Sequence, residues 1–288
     1  MFPEGPCMNA SGDLLFVELP RGCLSILRRG KRHTFADLGG SPNGAKLASD
    51  GSIFVANGGG CWPPVPATGM TCGLGRGTAC LQRVTMEGKF ETIITEIDGI
   101  ELNSPNDLCF DKDGNLYFTD PNWPKRGARS IEPTSSAEAG SICFWSSDGR
   151  AHRVHTGLIF PNGVQLSASG TTLYVAETGT GNIHSFPVLE AGLLGEPQLF
   201  CKLGLESGVD GMCIDARNRL LVAGSGSGAI YIVGPEGNLE ERLEFSDQCL
   251  TNLCFGIDDP HMLFVTAAIS GTLIGTRLDT PGVPPPWA

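Results

Sequence analysis

No apolar run in this 288-residue sequence approaches the roughly 18 residues that a membrane-crossing helix needs. The opening Met1-Phe2-Pro3-Glu4-Gly5-Pro6 carries neither a basic region nor a hydrophobic stretch, so no signal peptide and no membrane partner is expected. Positive charge is also short: 20 Lys and Arg stand against 31 Asp and Glu, for a formal net charge of -11. That balance argues against a nucleic-acid partner, whose phosphates need basic side chains. None of the 11 cysteines forms a C-x-x-C pair. Many, such as Cys109, Cys143, Cys213 and Cys254, sit in strand-like runs where a free thiol packs as a small hydrophobe. A reducing, cytoplasmic location follows as the expectation. Cys61, Cys72 and Cys80 match no zinc spacing, and a disulfide among them is the alternative. There is no P-loop, no H-E-x-x-H and no convincing amphipathic helix. His152 and His155 read as strand residues rather than zinc ligands, and Gly224-Ser225-Gly226-Ser227-Gly228 as a hairpin tip rather than a nucleophile elbow.

What is abundant is glycine (40 residues) and proline (20), as expected of many short strands joined by tight turns. A pattern recurs along the whole chain. A polar residue, usually followed by glycine, precedes a hydrophobic residue four positions on, then a turn, then an apolar triplet. Glu4-Gly5 leads to Leu15-Phe16-Val17, Asn43-Gly44 to Ile53-Phe54-Val55, and Asn106-Asp107 to Leu116-Tyr117-Phe118. Asn162-Gly163 leads to Leu173-Tyr174-Val175, and Asp210-Gly211 to Leu220-Leu221-Val222. A sixth copy runs from Thr251-Asn252 to Leu263-Phe264-Val265, with its register open between those two polar residues. Turn residues such as Asp111-Lys112-Asp113-Gly114 join the runs, so each copy is a β-hairpin with further strands. Six units of about 48 residues match propeller blades of roughly 40–50 residues. The expected fold is all-β, one six-bladed β-propeller domain over residues 1–288, in which radial repetition protects the strand edges.

In a propeller the first strand of each blade lines the central tunnel. The recurring polar residue starts that strand, so Glu4, Asn43, Asn106, Asn162 and Asp210 should form a ring at one tunnel end. Asn-Gly and Asp-Gly are also good turn formers, but Glu4 is not, and it holds the same offset. Carboxylates with amides make a hard-oxygen cage suited to Ca²⁺, with Mg²⁺, Mn²⁺ or Zn²⁺ as alternatives.

Several segments together resemble the gluconolactonase/regucalcin family of sugar-lactone lactonases. These are Ser104-Pro105-Asn106-Asp107-Leu108, Asp113-Gly114-Asn115-Leu116-Tyr117-Phe118-Thr119-Asp120, Pro161-Asn162-Gly163-Val164, Leu173-Tyr174-Val175-Ala176-Glu177-Thr178 and Val209-Asp210-Gly211-Met212. The resemblance covers nearly the whole chain. It implies a six-bladed propeller with one divalent cation on Glu4, Asn162 and Asp210, and Asn106 nearby; Asn43 matches no family ligand. Ser104 stands where sugar-lactone members often carry Arg, which implies a less polar lactone. The chain starts just before Glu4, which leaves ring closure to the run 271–277 or to some other pairing.

The implied chemistry is hydrolysis of a small lactone whose developing oxyanion the cation stabilises. Asp210 is the first choice of general base or nucleophile and Asp107 the second. Asn106 and Ser104 are candidate substrate contacts. Two long loops, 58–79 with Trp62 and 121–139 with Trp123, are expected to overhang the cation as an apolar lid, with help from Lys125 or Arg126. The competing functions are phosphotriester or aryl-ester hydrolysis on the same site, a non-catalytic calcium-binding propeller, and a strictosidine-synthase-like condensing propeller.

Overall fold

The computed structural model describes residues 1–60, 77–122 and 139–286. Six antiparallel sheets follow one another along the chain as blades of a β-propeller. Blade one comprises Pro3–Met8, Leu14–Glu18, Cys23–Arg28 and Lys31–Asp37. Blade two comprises Pro42–Leu47, Ile53–Asn57, Cys80–Val84 and Phe90–Ile94. Blade three is Leu108–Phe110, Leu116–Asp120, Gly140–Trp145 and Ala151–Leu158. Blade four is Pro161–Leu166, Thr172–Glu177, Asn182–Glu190 and Gln198–Lys202, with the short Leu193–Leu194 folded against its third strand. Blade five is Val209–Ile214, Leu220–Gly224, Ala229–Val233 and Leu239–Glu244. Blade six has three strands among the described residues: Leu250–Phe255, Met262–Ala267 and Thr272–Arg277. Among these residues no helix is long and apolar enough to cross a membrane.

The apolar triplets are second strands, and their alternation explains why they are apolar throughout. Side chains alternate faces along a strand, and here both faces are covered by a neighbouring blade. Leu173 and Val175 pack with Tyr117 and Ile142 of blade three. Tyr174 and Ala176, pointing the other way, pack with Val209 and Val222 of blade five. The core is thus a series of wedges between blades, in which a fully buried Phe118 or Leu173 contributes about 1.5–3 kcal/mol. The outermost strands, such as Lys31–Asp37, are mostly exposed.

The turns follow their side chains. Asp111 Oδ1 accepts from the amides of Asp113 and Asn115, both at 2.9 Å. Asn9 Oδ1 holds Ser11 and Asp13 in the same manner. Asn218 takes a left-handed backbone (φ 59°), which asparagine tolerates.

Ring closure differs from one of the two expected routes. The run 271–277 forms the third strand of blade six, paired with Met262–Ala267, and Gly271 at its start lies against the Met1 backbone. Closure is made by the innermost strands themselves, where Thr251 Oγ1 donates to the Pro3 carbonyl at 3.2 Å. Every described cysteine, Cys80 included, is a free thiol; Cys61 and Cys72 lie outside the described residues.

Candidate functional site

Glu4, Asn43, Asn106, Asn162 and Asp210 are all buried, at or just before the start of the innermost strands. Strand register settles the sixth copy. Leu253 pairs with Val265 as Val164 pairs with Val175 and Met212 with Val222. Thr251 therefore occupies the place of Asn162 and Asp210, and Asn252 that of Gly163 and Gly211.

The Asn-Gly and Asp-Gly pairs lie inside strands, and close approach of the blades explains their glycines. A Cβ at Gly44 would sit 2.5 Å from the Asn106 carbonyl oxygen and 2.8 Å from Asp107 Cα. One at Gly163 would overlap the Asp210 carbonyl oxygen, and one at Gly211 the Asn252 amide. Each glycine makes room for the next blade's polar residue. Asp107 and Asn252, the two non-glycine residues in this second position, lean over Gly44 and Gly211 in turn. Each also accepts a hydrogen bond from the following amide, Leu108 N to Asp107 Oδ1 at 2.9 Å and Leu253 N to Asn252 Oδ1 at 2.8 Å.

Three carboxylates act on one another at this end of the tunnel. Burial pushes Glu4 well above the ordinary carboxylate range; Asp210 and Asp107 push it further, while the Gly5 amide and Thr251 hydroxyl work against them. Burial also raises Asp210, followed by repulsion from Asp107, opposed by hydrogen bonds from Ser225 and Asn162. Asp107 is raised by burial as well, with Lys46 and the Asn252 side chain opposing. Asn162 Nδ2 donates to Thr178 Oγ1 at 3.1 Å, which leaves its Oδ1 buried with no partner. Asp107 Oδ2 is in the same condition.

Threonines brace the ring. Thr119 Oγ1 donates to the Asn162 carbonyl at 2.7 Å, Thr178 Oγ1 to the Val209 carbonyl at 2.6 Å, and Thr266 Oγ1 to the Asn252 carbonyl at 3.0 Å. Sequence reasoning passed over them, although Thr119 and Thr266 each directly follow an apolar triplet. Ser225, in the loop read as a hairpin tip, was missed as a residue that eases the charge on Asp210; its hydroxyl lies 3.2 Å from Cys249 Sγ, and its only signal was its place after a second strand.

Ser104 is buried with its hydroxyl unpartnered, and its amide donates to Asp120 Oδ1 at 2.7 Å. Burial raises Asp120 to about 6 despite amide bonds from Ser104 and Asn103. Trp62, Trp123, Lys125 and Arg126, with most of the two long loops, lie outside the described residues. His152 and His155 are structural: His152 Nε2 lies 2.8 Å from the Gly192 carbonyl, and His155 packs edge-on against Phe186.

Residues 2–269 match the family model described as the SMP-30/Gluconolactonase/LRE-like region. The chain belongs to this family. Its relatives include the gluconolactonase of Zymomonas mobilis, 29% identical over 248 residues, which are 82% of this chain and 63% of that protein. The chain thus spans less than two thirds of that relative. The diisopropyl-fluorophosphatase of Loligo vulgaris is also 29% identical, over 79% of this chain and 68% of its own length. In fold, this SMP-30/gluconolactonase member matches a calcium-binding regucalcin from Agrobacterium tumefaciens with a TM-score of 0.77 at 22% identity, covering 98% of this chain and 91% of the other.

The ring of this family member suits a hard cation, given its chemistry. Among the described residues no three carboxylate, imidazole or thiol side chains could hold a metal ion by themselves. A cation here would need amide oxygen, and Asn162 Oδ1 is a buried amide oxygen with no partner.

Proposed function

We propose that this chain, acting as one propeller domain, hydrolyses a lactone with the help of a divalent cation, Ca²⁺ first, held by Glu4, Asn162, Asp210 and Asn106. The observation that carries the reading is that the buried Glu4 and Asp210 are raised by each other's or Asp107's charge, while Asn162, next to Asp210, keeps a buried amide oxygen with no partner. Uncompensated, three such carboxylates are costly to bury; a bound cation removes that cost.

When bound, the cation would act as a Lewis acid on the ester carbonyl. The chain's own residues supply the rest. Asp210, whose ionised form Ser225 and Asn162 favour, accepts the proton of the attacking water, or attacks directly as a nucleophile. Asp107, tied to Leu108 N and Asn252, is the second choice. Ser104 offers a buried hydroxyl in place of a charged group, which favours a lactone less polar than a simple aldonolactone. Phosphotriester or aryl-ester hydrolysis is the second reading, supported by a diisopropyl-fluorophosphatase at the same identity as the gluconolactonase.

A panel of aldonolactones, alkyl-substituted lactones, aryl esters and organophosphates, assayed with EDTA and then with added Ca²⁺, tests the proposal. Lactone turnover should fall with chelation and return with the ion. Faster organophosphate turnover would favour the second reading, and no turnover of any ester would leave a binding protein.

The cation should also stabilise the fold. At a hundredfold excess over its dissociation constant it contributes about 2.7 kcal/mol, on the order of 5–10 °C in Tm. The shift should grow with pH. Glu4 and Asp210 titrate in the folded chain above their unfolded values. Their burial penalty is therefore absent below ordinary carboxylate pKa values and appears as pH rises through the raised ones. The cation binds the ionised forms, so scanning calorimetry should find a larger Ca²⁺ shift at pH 8 than at pH 5. An equal shift at both would place the ion elsewhere.

A further inference from the structure

The opposite end of the tunnel opens into a cavity of about 920 Å³. Its composition follows from the repeat. Three residues beyond each polar position the innermost strands carry Cys7, Lys46, Cys109, Gln165, Cys213 and Cys254, and all six line this cavity. One residue further, Met8, Leu47, Phe110, Leu166, Ile214 and Phe255 give it an apolar wall. The segment 281–286 forms one side, held by hydrogen bonds from Gly282 N to the Pro260 carbonyl (2.8 Å) and from Val283 N to the Ile214 carbonyl (3.2 Å).

Charge in this cavity is almost entirely settled. Burial keeps the thiols protonated, with Cys7 and Cys254 pushed up to about 12. At the rim, Asp113 pairs with Lys112 at 2.8 Å, and Asp111 accepts bonds within its own turn. Lys46 is the exception. Its side chain is half-buried, and among the described residues it forms no hydrogen bond or ion pair. Burial works most strongly against its charge, but Asp107 first and then Cys254, Cys7 and Cys213 act the other way, and together they raise it. Three N–H donors thus face a largely apolar chamber with no protein acceptor among the described residues, where a ligand's anionic group can take the place of water.

We propose that this chamber binds an apolar monocarboxylate, with its carboxylate on Lys46 Nζ and its hydrocarbon body against the apolar wall. A volume near the upper end of the roughly 300–1,000 Å³ of small-molecule sites admits such a ligand. One ammonium matches one negative charge; a dianion would leave a second charge uncompensated close to Asp107.

Calorimetric titration of the full chain with octanoate and with 1-octanol, which share a tail, tests this. A charge-assisted bond should make octanoate bind at least about tenfold tighter than 1-octanol. Lys46→Met should erase that preference while 1-octanol binding stays within about threefold. Ala168→Trp, at the exposed rim of the cavity, should weaken both ligands at least about tenfold by obstructing entry. Octanoate binding no tighter than 1-octanol, or unchanged by Lys46→Met or by Ala168→Trp, overturns the proposal. If Lys46→Met loses its cooperative melt, the wild-type comparison and Ala168→Trp decide alone. None of these readouts depends on ester hydrolysis, so this proposal and the one for the carboxylate ring stand or fall separately.

Discussion

Asp210→Ala is expected to lower kcat/KM on the best lactone by about 10³-fold or more, while the protein stays folded. Two losses combine. A ligand of the cation goes, and so does the group that takes the proton of the attacking water, a contribution of roughly 10²–10⁴ by itself. The fold should tolerate the change because Asp210 is a strained resident of its site. It is buried and repelled by Asp107, and its pKa is held well above the ordinary range. Removing it without a cation present relieves that repulsion, so the melting temperature in EDTA should be unchanged or higher. The stabilising effect of Ca²⁺ should shrink in the same variant. Asp210→Asn, which keeps the shape and loses the charge, separates the two functions of the side chain. Near-normal turnover in either variant would rule out Asp210 as ligand and base.

The second large effect falls on a residue with no side chain. Gly163→Ala should cost about 3 kcal/mol, at the upper end of overpacking, and lower Tm by roughly 6–12 °C. Its new methyl would overlap the Asp210 carbonyl oxygen and press on Gly211. These are backbone atoms of the next innermost strand, with no flexible side chain to move aside. The displaced strand carries Asp210, so activity should fall with stability. Gly275→Ala is the matched control. That glycine also lies in a strand, but its nearest neighbour is the mobile tip of Met262, 3.3 Å from the added carbon. There the change should be neutral or slightly stabilising, since alanine loses less backbone freedom than glycine. Urea or thermal melts of the two variants make the comparison; equal effects would mean that the axial glycines do not serve close blade approach.

Much of the site could be read from residue order because a propeller turns position in a repeat into position in space. Glu4, Asn106, Asn162 and Asp210 share an offset in sequence, and the fold places them around one axis. Asp107 was visible only as a neighbour of Asn106. Its interest comes from standing where other blades have glycine, and that equivalence needed the pairing of Leu108 with Phe118 to be seen. Lys46 gave no signal in sequence, since one lysine in a strand looks like an ordinary surface residue. Only the converging strands turn it toward the tunnel chamber without a protein partner.

The sequence by itself determined the all-β repeat, the two-sided burial of the apolar triplets, the hairpin turns and the common offset of the polar ring. These depend on side-chain alternation and on turn residues a few positions apart, so the physics that sets them is local. The tertiary structure alone decided that Thr251, not Asn252, completes the ring, that the first and last innermost strands close it, and that Lys46 faces an apolar chamber unpaired. Those features depend on which backbones come together around the axis. Thr251 and Pro3, 248 positions apart, meet there, and no local preference of either segment encodes such a contact.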